Sequence, residues 1–391
     1  MNRRDLGKLA GGAALTAASW NRVWGASDRL GMALIGSGRR GTEVMRAFLA
    51  SGAVDLRCLC DVYDAHREKA RHALLPNGPT PFECVAHEEA LARPDVDAVL
   101  IAAPDHLHVD LARAALAAGK HVYLEKPTTH HFSEGRALLA AVESSGKLLQ
   151  CGMQQRSGEH YQRAKAEIFA NRRLGEVVFV RTWWSNFPWQ ARHVASAPQP
   201  AGLDWDRFLG PAPKRPFDMF RYDSWRCFSD YGGGLLADIM THWADVAQWM
   251  MDESTPSAAL TGGGIYRLHD GRDNPDVVNA IVEYQGGWDL TFESTVLPIR
   301  ETRATVLFLG TAGTLDLSRD GYTFTPQKGA PETVRASRGL EAAHTANFLD
   351  AIRNGAPLNA PAEIGIQACN PVHLARTSYR NRQRATWNMV N

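Results

Sequence analysis

The chain has 391 residues, of which 45% are hydrophobic and 22% charged, and its formal net charge is +1. This composition is ordinary for a globular protein, and the length favours two domains because single cores rarely grow beyond about 250–300 residues. The near-zero net charge argues against nucleic acid or an anionic membrane surface as a partner. The six cysteines show no C-x-x-C spacing, so we expect buried small hydrophobes rather than a disulfide framework or a metal site.

The first 27 residues differ in composition from the rest of the chain. Arg3 and Arg4 precede a short, weakly apolar Ala/Gly/Leu stretch, with a possible cleavage point near Ala26. This pattern is typical of a twin-arginine export signal, the alternative being a disordered tail, and the stretch is too short to span a bilayer. We therefore expect a signal peptide at residues 1–27, export of the folded protein and a periplasmic location, without a membrane span.

A glycine motif follows the first predicted strand. The segment "GMALIG" at 31–36 is typical of a buried strand, "GSGRRG" follows, and "TEVMRAFLA" has helical spacing. Gly36, Gly38 and Gly41 thus form G-x-G-x-x-G between a strand and a helix, where they permit a tight turn, close approach of a pyrophosphate and close helix packing. The residues between them are assigned to the same dinucleotide site: Ser37, Arg39 and Arg40.

The second predicted strand supports a dinucleotide site. The segment "VDLRCLCD" ends at Asp61, 20 residues after Gly41. A carboxylate at this place accepts hydrogen bonds from the adenosine ribose and repels a 2′-phosphate, which favours NAD over NADP. Two alternatives stay open: Asp61 can cap the next helix, and Arg39 or Arg40 can bind a 2′-phosphate.

Further strands and helices alternate up to residue 151. "VDAVLIAAP" and "HVYLEKP" are strand patterns that end at Ala103–Pro104 and at Glu125–Lys126. The alternation predicts a doubly wound parallel sheet at 28–151, in which ligands bind beyond the C-terminal strand ends. We expect Lys126 at the nicotinamide end of that crevice, the alternative being a solvated surface lysine. His108 is assigned to the lining of the cofactor site.

After Gly152 the pattern becomes that of an α+β domain with a large, mostly antiparallel open sheet. Strand-like runs recur there without a helix between each pair, and the predicted domain extends over 152–391, with C-terminal helices that can return to the first domain. The segment "DYGGGLLADIMTHWADVAQWMM" predicts a long helix on which Asp238 and His242 lie one turn apart. Both can face one cavity; the alternative is a capping Asp and a buried, satisfied His.

Several polar and aromatic residues are weaker candidates. Gln154 opens the second domain and is assigned to the cofactor site. Arg156, Trp184, Arg221 and Tyr222 are candidates for substrate contacts, although a solvated helix start and aromatic core packing explain such residues equally well.

The sequence resembles the Gfo/Idh/MocA family, the group of glucose–fructose oxidoreductase and inositol dehydrogenase. The resemblance covers nearly the whole chain after the signal and rests on "LIGSGRRG", "CDVYDAHR", "AAPDHLHVDLARAALAAGKHVYLEKP" and "GGGLLADIMTHWADVAQW". It implies that Lys126, Asp238 and His242 line the hydride-transfer site. Met240 departs from the family pattern, which has glycine at that place.

The resemblance implies a function as well. It predicts an NAD-dependent oxidoreductase that acts on a sugar or cyclic polyol and assembles as a dimer or tetramer. The predicted export adds that the cofactor is loaded in the cytoplasm, held tightly and reset on the enzyme. Two alternatives stay open: a redox-neutral, NAD-dependent glycoside hydrolase, and a non-catalytic sensor or scaffold that holds NAD.

Overall fold

The computed structural model describes residues 29–185, 194–300, 303–337 and 339–390. The predicted signal peptide, with Arg3, Arg4 and Ala26, lies outside the described residues. No helix in the described ranges is long and apolar enough to cross a membrane. All six cysteines are buried and form no disulfide.

The first sheet is six-stranded and parallel, with the strand order β3-β2-β1-β4-β5-β6. Its strands are β1 Leu30–Ile35, β2 Val54–Cys60, β3 Phe82–Cys84, β4 Ala98–Ile101, β5 His121–Leu124 and β6 Leu149–Cys151. This order reverses direction between β1 and β4, which places a ligand crevice beyond the C-terminal ends of those strands. The predicted doubly wound sheet is therefore confirmed.

Helices cover both faces of this sheet. They are α1 Arg39–Ala50, α2 Asp64–Leu74, α3 His87–Leu91, α4 His108–Ala117 and α5 Glu134–Ser145. Helix α1 buries Val44, Met45 and Phe48, which share one face at helical spacing, against the strands. The packing fixes the N-terminus of α1 directly beyond the end of β1.

The second sheet has nine strands in the order β14-β13-β12-β11-β7-β10-β9-β8-β15. They are β7 Val177–Trp183, β8 Pro256–Gly264, β9 Val277–Tyr284, β10 Trp288–Thr295, β11 Thr305–Gly310, β12 Gly313–Ser318, β13 Gly321–Pro326, β14 Glu332–Arg335 and β15 Ala385–Thr386. All neighbours are antiparallel except β7 and β10. The predicted large, mostly antiparallel sheet is confirmed.

A buried helical segment packs on one face of this sheet. It consists of a π-helical turn, Leu236–Met240, followed without a break by α9, Thr241–Met251. Trp243 and Val246 of α9 are fully buried with Phe292 and Phe308 of the sheet. The shorter helices of this region are α6 Glu159–Ala164, α7 Trp205–Leu209 and α8 Met219–Asp223.

The two C-terminal helices contact the first sheet. They are α10, Leu340–Asn354, and α11, Ala362–Asn381. The ring of Phe348 on α10 lies 6.0 Å from that of Phe48 on α1, and the Gln150 amide of β6 donates to the backbone oxygen of His344 at 2.8 Å. These contacts place the start of α10 beside the crevice. The exact domain boundaries stay a prediction.

Candidate active site

The three motif glycines meet three different steric demands. Gly36 has a φ of +88°, and an added Cβ would lie 2.7 Å from the backbone of Ala102. At Gly41, a Cβ would lie 2.1 Å from the backbone oxygen of Gly36, so the helix can approach the strand only without a side chain. At Gly38, a Cβ would meet no atom within 4 Å. The space beside Gly38 is open because the residue faces a cavity.

That cavity, of about 560 Å³, runs along the C-terminal strand ends of the first sheet. Its lining includes Gly36, Gly38, Arg39, Arg40, Asp61, Ala103 and Pro104. The Asp61 carboxylate accepts hydrogen bonds from the backbone N–H groups of Ser37 at 2.7 Å and Tyr63 at 3.0 Å. Asp61 does not cap α2, whose N-cap residue is Tyr63. A glycine turn and a fixed carboxylate at one end of a crevice are the features that an NAD ribose and pyrophosphate require.

The two arginines of the motif have different surroundings. Arg40 donates to Glu125 at 2.7 Å and to Glu341 of α10 at 2.8 Å. Burial disfavours the charged form of Glu125, but the neighbouring Arg40 keeps the pKa of that carboxyl below its usual value. The Arg39 side chain is 71% exposed and pairs with Glu43 at 3.1 Å. Arg40 is thus committed to two carboxylates, which favours NAD over NADP.

Lys126 lies two residues after the end of β5 and contacts the second domain. Its Nζ donates to the Asp238 carboxylate at 2.6 Å and to the Asp238 backbone oxygen at 2.8 Å. Burial would raise the pKa of Asp238, but Lys126 and Arg226 hold it well below its usual value. The strand tip and the π-helical turn are therefore joined by a lysine–carboxylate ion pair.

His242 lies one turn after Asp238, at the second position of α9. The side chain is 5% exposed, and its ring makes no hydrogen bond to any described residue. Burial, followed by the positive charges of Lys126 and Arg319, lowers the pKa of His242 well below 6.5. The imidazole is consequently neutral at physiological pH and able to accept a proton.

Two family matches follow the two halves of this architecture. Residues 30–153 match the NAD-binding Rossmann fold of the GFO/IDH/MocA oxidoreductase family, and residues 161–316 match the C-terminal domain of that family. The chain belongs to the Gfo/Idh/MocA oxidoreductases. The predicted family and the prediction of NAD as cofactor are confirmed at this level.

Curated relatives of this oxidoreductase include sugar and polyol dehydrogenases. Inositol 2-dehydrogenase of Gluconacetobacter diazotrophicus is 30% identical over 158 residues, which cover 40% of this chain and 46% of that enzyme. Levoglucosan dehydrogenase of Pseudarthrobacter phenanthrenivorans is 29% identical over 170 residues, which cover 43% of this chain and 36% of that enzyme. The chain thus matches less than half the length of either enzyme.

Solved structures match the fold over almost the whole chain. A levoglucosan dehydrogenase in complex with NADH and levoglucosan superposes with a TM-score of 0.73 at 19% identity, covering 92% of this chain and 99% of the other. GenD2 from gentamicin A biosynthesis, in complex with NAD, gives a TM-score of 0.71 at 21% identity, covering 93% and 98%. At such low identity, these matches establish the fold alone.

His108 and Gln154 lie at the edges of the predicted cofactor site of this oxidoreductase. His108 is buried under the strand ends, with Nδ1 at 2.7 Å from the Pro127 oxygen and Nε2 at 2.8 Å from the Ala103 oxygen. It therefore supports the two strand ends and is not part of the cavity lining. Gln154 donates to Glu341 at 3.0 Å and lines a second cavity.

Two predicted substrate residues are committed to ion pairs elsewhere. Arg156 pairs with the buried Asp245 of α9 at 2.8 Å, and Arg221 lies 3.3 Å from Asp230. Neither arginine lines either cavity. The interpretation of both as substrate contacts is therefore not supported, because their charges are already neutralised within the protein.

The two aromatic candidates lie at opposite ends of the site. Tyr222 stacks on His66 at 6.1 Å in the part of the first cavity that Asp61 lines, which is the predicted adenosine end rather than the substrate end. The Trp184 ring lies 6.4 Å from that of His242 and 5.7 Å from that of Trp243. Trp184 thus lies beside the catalytic candidates.

Three charged residues near the site were missed from the sequence. The Nε of Arg226 lies 3.3 Å from the Asp238 carboxylate, and its guanidinium lies 4.1 Å from the Trp225 ring. Asp105 is buried beside this cluster, and burial raises its pKa against the opposing charges of His108 and Arg226. The third, Arg319, comes from the turn between β12 and β13. Two local features of the sequence could have pointed to the site: Arg226 lies shortly before the glycine run, and Asp105 follows the strand pattern that ends at Pro104.

Met240, the departure from the family pattern, is fully buried in the core of the second domain. Its side chain therefore packs with the sheet, and the pattern change leaves the Lys126–Asp238 pair in place.

Proposed function

We propose that this protein is an NAD-dependent oxidoreductase that acts on a hydroxyl group of a sugar or cyclic polyol. The observation that carries the proposal is the meeting of Lys126, Asp238 and the neutral His242 next to a crevice that begins at the glycine turn and Asp61. The names of the curated relatives support the substrate class.

The described residues fit the cofactor. Gly36 and Gly38 offer backbone to the pyrophosphate, Asp61 accepts from the adenosine ribose, and Ala103 and Pro104 continue the crevice toward Lys126. When bound, NAD supplies the acceptor for the hydride that leaves the alcohol carbon.

The chain itself supplies the proton chemistry. His242 takes up the hydroxyl proton at its imidazole, which is neutral and makes no hydrogen bond within the described residues. The Lys126 Nζ donates to the substrate oxygen and stabilises the negative charge that develops there. Asp238 holds that ammonium group in place through the 2.6 Å contact, and Arg226 in turn holds Asp238.

We also propose that the protein is exported folded by the twin-arginine route and works in the periplasm as a homo-oligomer. The Arg3–Arg4 pair supports export, and the exposed, paired Leu260 and Ile281 on β8 and β9 support self-association. The curated relatives have the names of dehydrogenases, a reductase and oxidoreductases, so neither the glycoside hydrolase nor the non-catalytic sensor is favoured.

The test begins with the purified full chain. We expect acid denaturation to release NAD, and a panel of sugars and cyclic polyols to include at least one compound that is oxidised while bound nicotinamide is reduced. Lys126→Met should keep the nucleotide but lower kcat by roughly 10²–10⁴-fold, since a charge-stabilising donor is lost. Lys69→Met, on the exposed surface of α2, is the matched control. A protein that never retains NAD, or a Lys126→Met variant with unchanged turnover, would refute the proposal.

A further inference from the structure

A second cavity, of about 400 Å³, adjoins the first one. Its lining consists of Gln154, Arg319, Asp320, Ala336, Gly339, Leu340 and Glu341. Glu341 accepts hydrogen bonds from Gln154 at 3.0 Å and from Arg40 at 2.8 Å, and Arg40 lines the first cavity. The Arg40–Glu341 ion pair therefore joins the linings of the two cavities.

Arg319 is the unusual residue of this second cavity. Its guanidinium lies 4.7 Å from the ring centre of Trp184, and its Nε is buried without a hydrogen-bond partner. No described carboxylate lies within 4.0 Å of it, whereas Arg40, Arg156 and Arg226 each have one within 3.3 Å. Arg319 is thus a largely buried cation that no described carboxylate contacts directly, although Glu341 and Glu125 act on its charge from farther away.

Such a cation is expensive to bury. Removing an unpaired charge from water costs several kcal/mol unless an opposite charge or good hydrogen bonds replace the lost hydration. Burial accordingly lowers the pKa of Arg319 from its usual value. An aromatic face offsets only a part of that cost. A ligand with a negative charge would remove the remainder.

The position of Arg319 relative to the catalytic candidates limits the kind of ligand. The Arg319 guanidinium lies over the Trp184 indole, and the His242 ring lies 6.4 Å from the same indole. The cation and the proton acceptor therefore both neighbour Trp184. A guanidinium over a ring keeps its N–H fork at the edge, where it matches a carboxylate in bidentate geometry. The charge of Arg319 contributes to the lowered pKa of His242, so the two side chains are near enough to contact different groups of one substrate.

Two carboxylates also line this cavity. Glu341 shares Arg40 with Glu125, and Asp320 is exposed at the rim next to solvent. Neither one forms an ion pair with Arg319, and Glu341 acts on its charge only from beyond 4.0 Å. Asp320 would instead weakly oppose an anionic ligand, which makes it a useful probe.

We propose that the second cavity is the subsite that binds an anionic group of the substrate, and that the substrate is an acidic sugar. Its carboxylate is bound by Arg319, while a ring hydroxyl meets Lys126 and His242. This inference rests on the proposed function, because it assigns the substrate class of the same site.

The experiment compares acidic sugars with their neutral counterparts on the NAD-loaded full chain. D-Galacturonate and D-glucuronate are paired with D-galactose and D-glucose, and both calorimetric Kd and initial rates are measured. We expect the acids to bind at least 10-fold more tightly. Arg319→Gln should raise the Kd of the acids by roughly 10–100-fold and leave the Kd of the neutral sugars unchanged, since only the charge-assisted fork is lost.

Three further variants make the result specific. Arg335→Gln removes an exposed arginine from β14 outside the cavity and should change nothing. Arg319→Lys keeps the charge without the fork and should restore only part of the affinity for the acids. Asp320→Asn should bind the acids slightly more tightly. Thermal unfolding of each variant confirms that it folds.

The outcomes separate the inference from the proposed function. The acidic-sugar assignment is overturned if the wild type binds the acids no more tightly than the neutral sugars, or binds neither acid. It is also overturned if Arg319→Gln loses the same affinity for acids and for neutral sugars. Oxidation of neutral sugars then keeps the proposed function. If the acids bind through Arg319 but no sugar is oxidised, the subsite stands and the oxidoreductase proposal fails.

Discussion

At the scale of single residues, the carboxylate nearest to each cation determines what that cation can do. Arg40 lies between Glu125 and Glu341 and has no charge left for a 2′-phosphate. Lys126 pairs with Asp238, which orients its ammonium without burying it completely, since the side chain is still 11% exposed. The ammonium therefore stays available to a substrate oxygen.

Asp61 tests the preference for NAD. Asp61→Asn keeps an acceptor oxygen for the Ser37 N–H but removes the charge that repels a 2′-phosphate. We expect NAD affinity to fall roughly 10-fold through the loss of a charged hydrogen bond, and NADP affinity to rise. Calorimetric Kd values for both nucleotides on cofactor-free protein measure the ratio, with Glu68→Gln on the exposed face of α2 as control. An unchanged ratio would show that Asp61 does not select the cofactor.

Site residues can be predicted from the sequence where the signal is local. Asp61 and Lys126 each follow a strand that can be read from its apolar run, so their place at the crevice needs no long-range information. Arg226, Arg319 and Glu341 reach the same site from loops and a helix far along the chain. Their approach depends on how the second sheet packs, which no local pattern encodes.

At the scale of elements, two glycines near the turn between β1 and α1 have different roles: Gly41 is needed for packing and Gly38 for binding. Gly41→Ala would place a Cβ 2.1 Å from the Gly36 oxygen, so we expect a loss of roughly 1–3 kcal/mol in the free energy of unfolding. Gly38→Ala has room for its methyl group, so the free energy of unfolding should change by no more than about 0.5 kcal/mol. NAD affinity should fall 10-fold or more, because the methyl group enters the cofactor crevice.

Urea unfolding of the cofactor-free protein and calorimetric binding of NAD provide the two measurements. Gly262→Ala on β8 is the control, since its Cβ also meets nothing within 4 Å and it lies outside both cavities. Normal NAD binding by Gly38→Ala would contradict the assignment of this turn to the pyrophosphate.

The long helix of the second domain was predicted as an element but not in its detailed form. Its apolar spacing gave α9 correctly, whereas the π-helical turn at Leu236–Met240 has no sequence signature and widens the backbone where Asp238 meets Lys126. Strand β8 has a weak strand pattern, because Gly262, Gly263 and Gly264 at its end are typical of a turn. In both cases tertiary packing overrode local preference.

At the scale of the whole molecule, the core contains histidines that fold in their neutral form. The neutral His344 ring of α10 donates from Nε2 to the Cys151 backbone oxygen at 2.8 Å and accepts at Nδ1 from the Ser157 hydroxyl at 2.6 Å, and burial lowers its pKa to about 4. His106 contacts the Phe208 oxygen at 3.0 Å, and burial likewise lowers its pKa to about 4. Burial lowers the pKa of His130 to about 2. These side chains join parts of the chain that are distant in sequence.

Stability should therefore decrease in mild acid. The folded pKa of each histidine lies below the unfolded value of about 6.5, so the unfolded state binds more protons between roughly pH 6.5 and 4. The free energy of unfolding should be constant with respect to these groups above about pH 6.5 and fall as the pH drops, by up to a few kcal/mol per histidine at about pH 4. Urea unfolding at a series of pH values measures the slope. His106→Gln should reduce it, while His72→Gln, whose side chain is 62% exposed, should not. A free energy of unfolding that stays constant down to about pH 4.5 would contradict the neutral burial of these histidines.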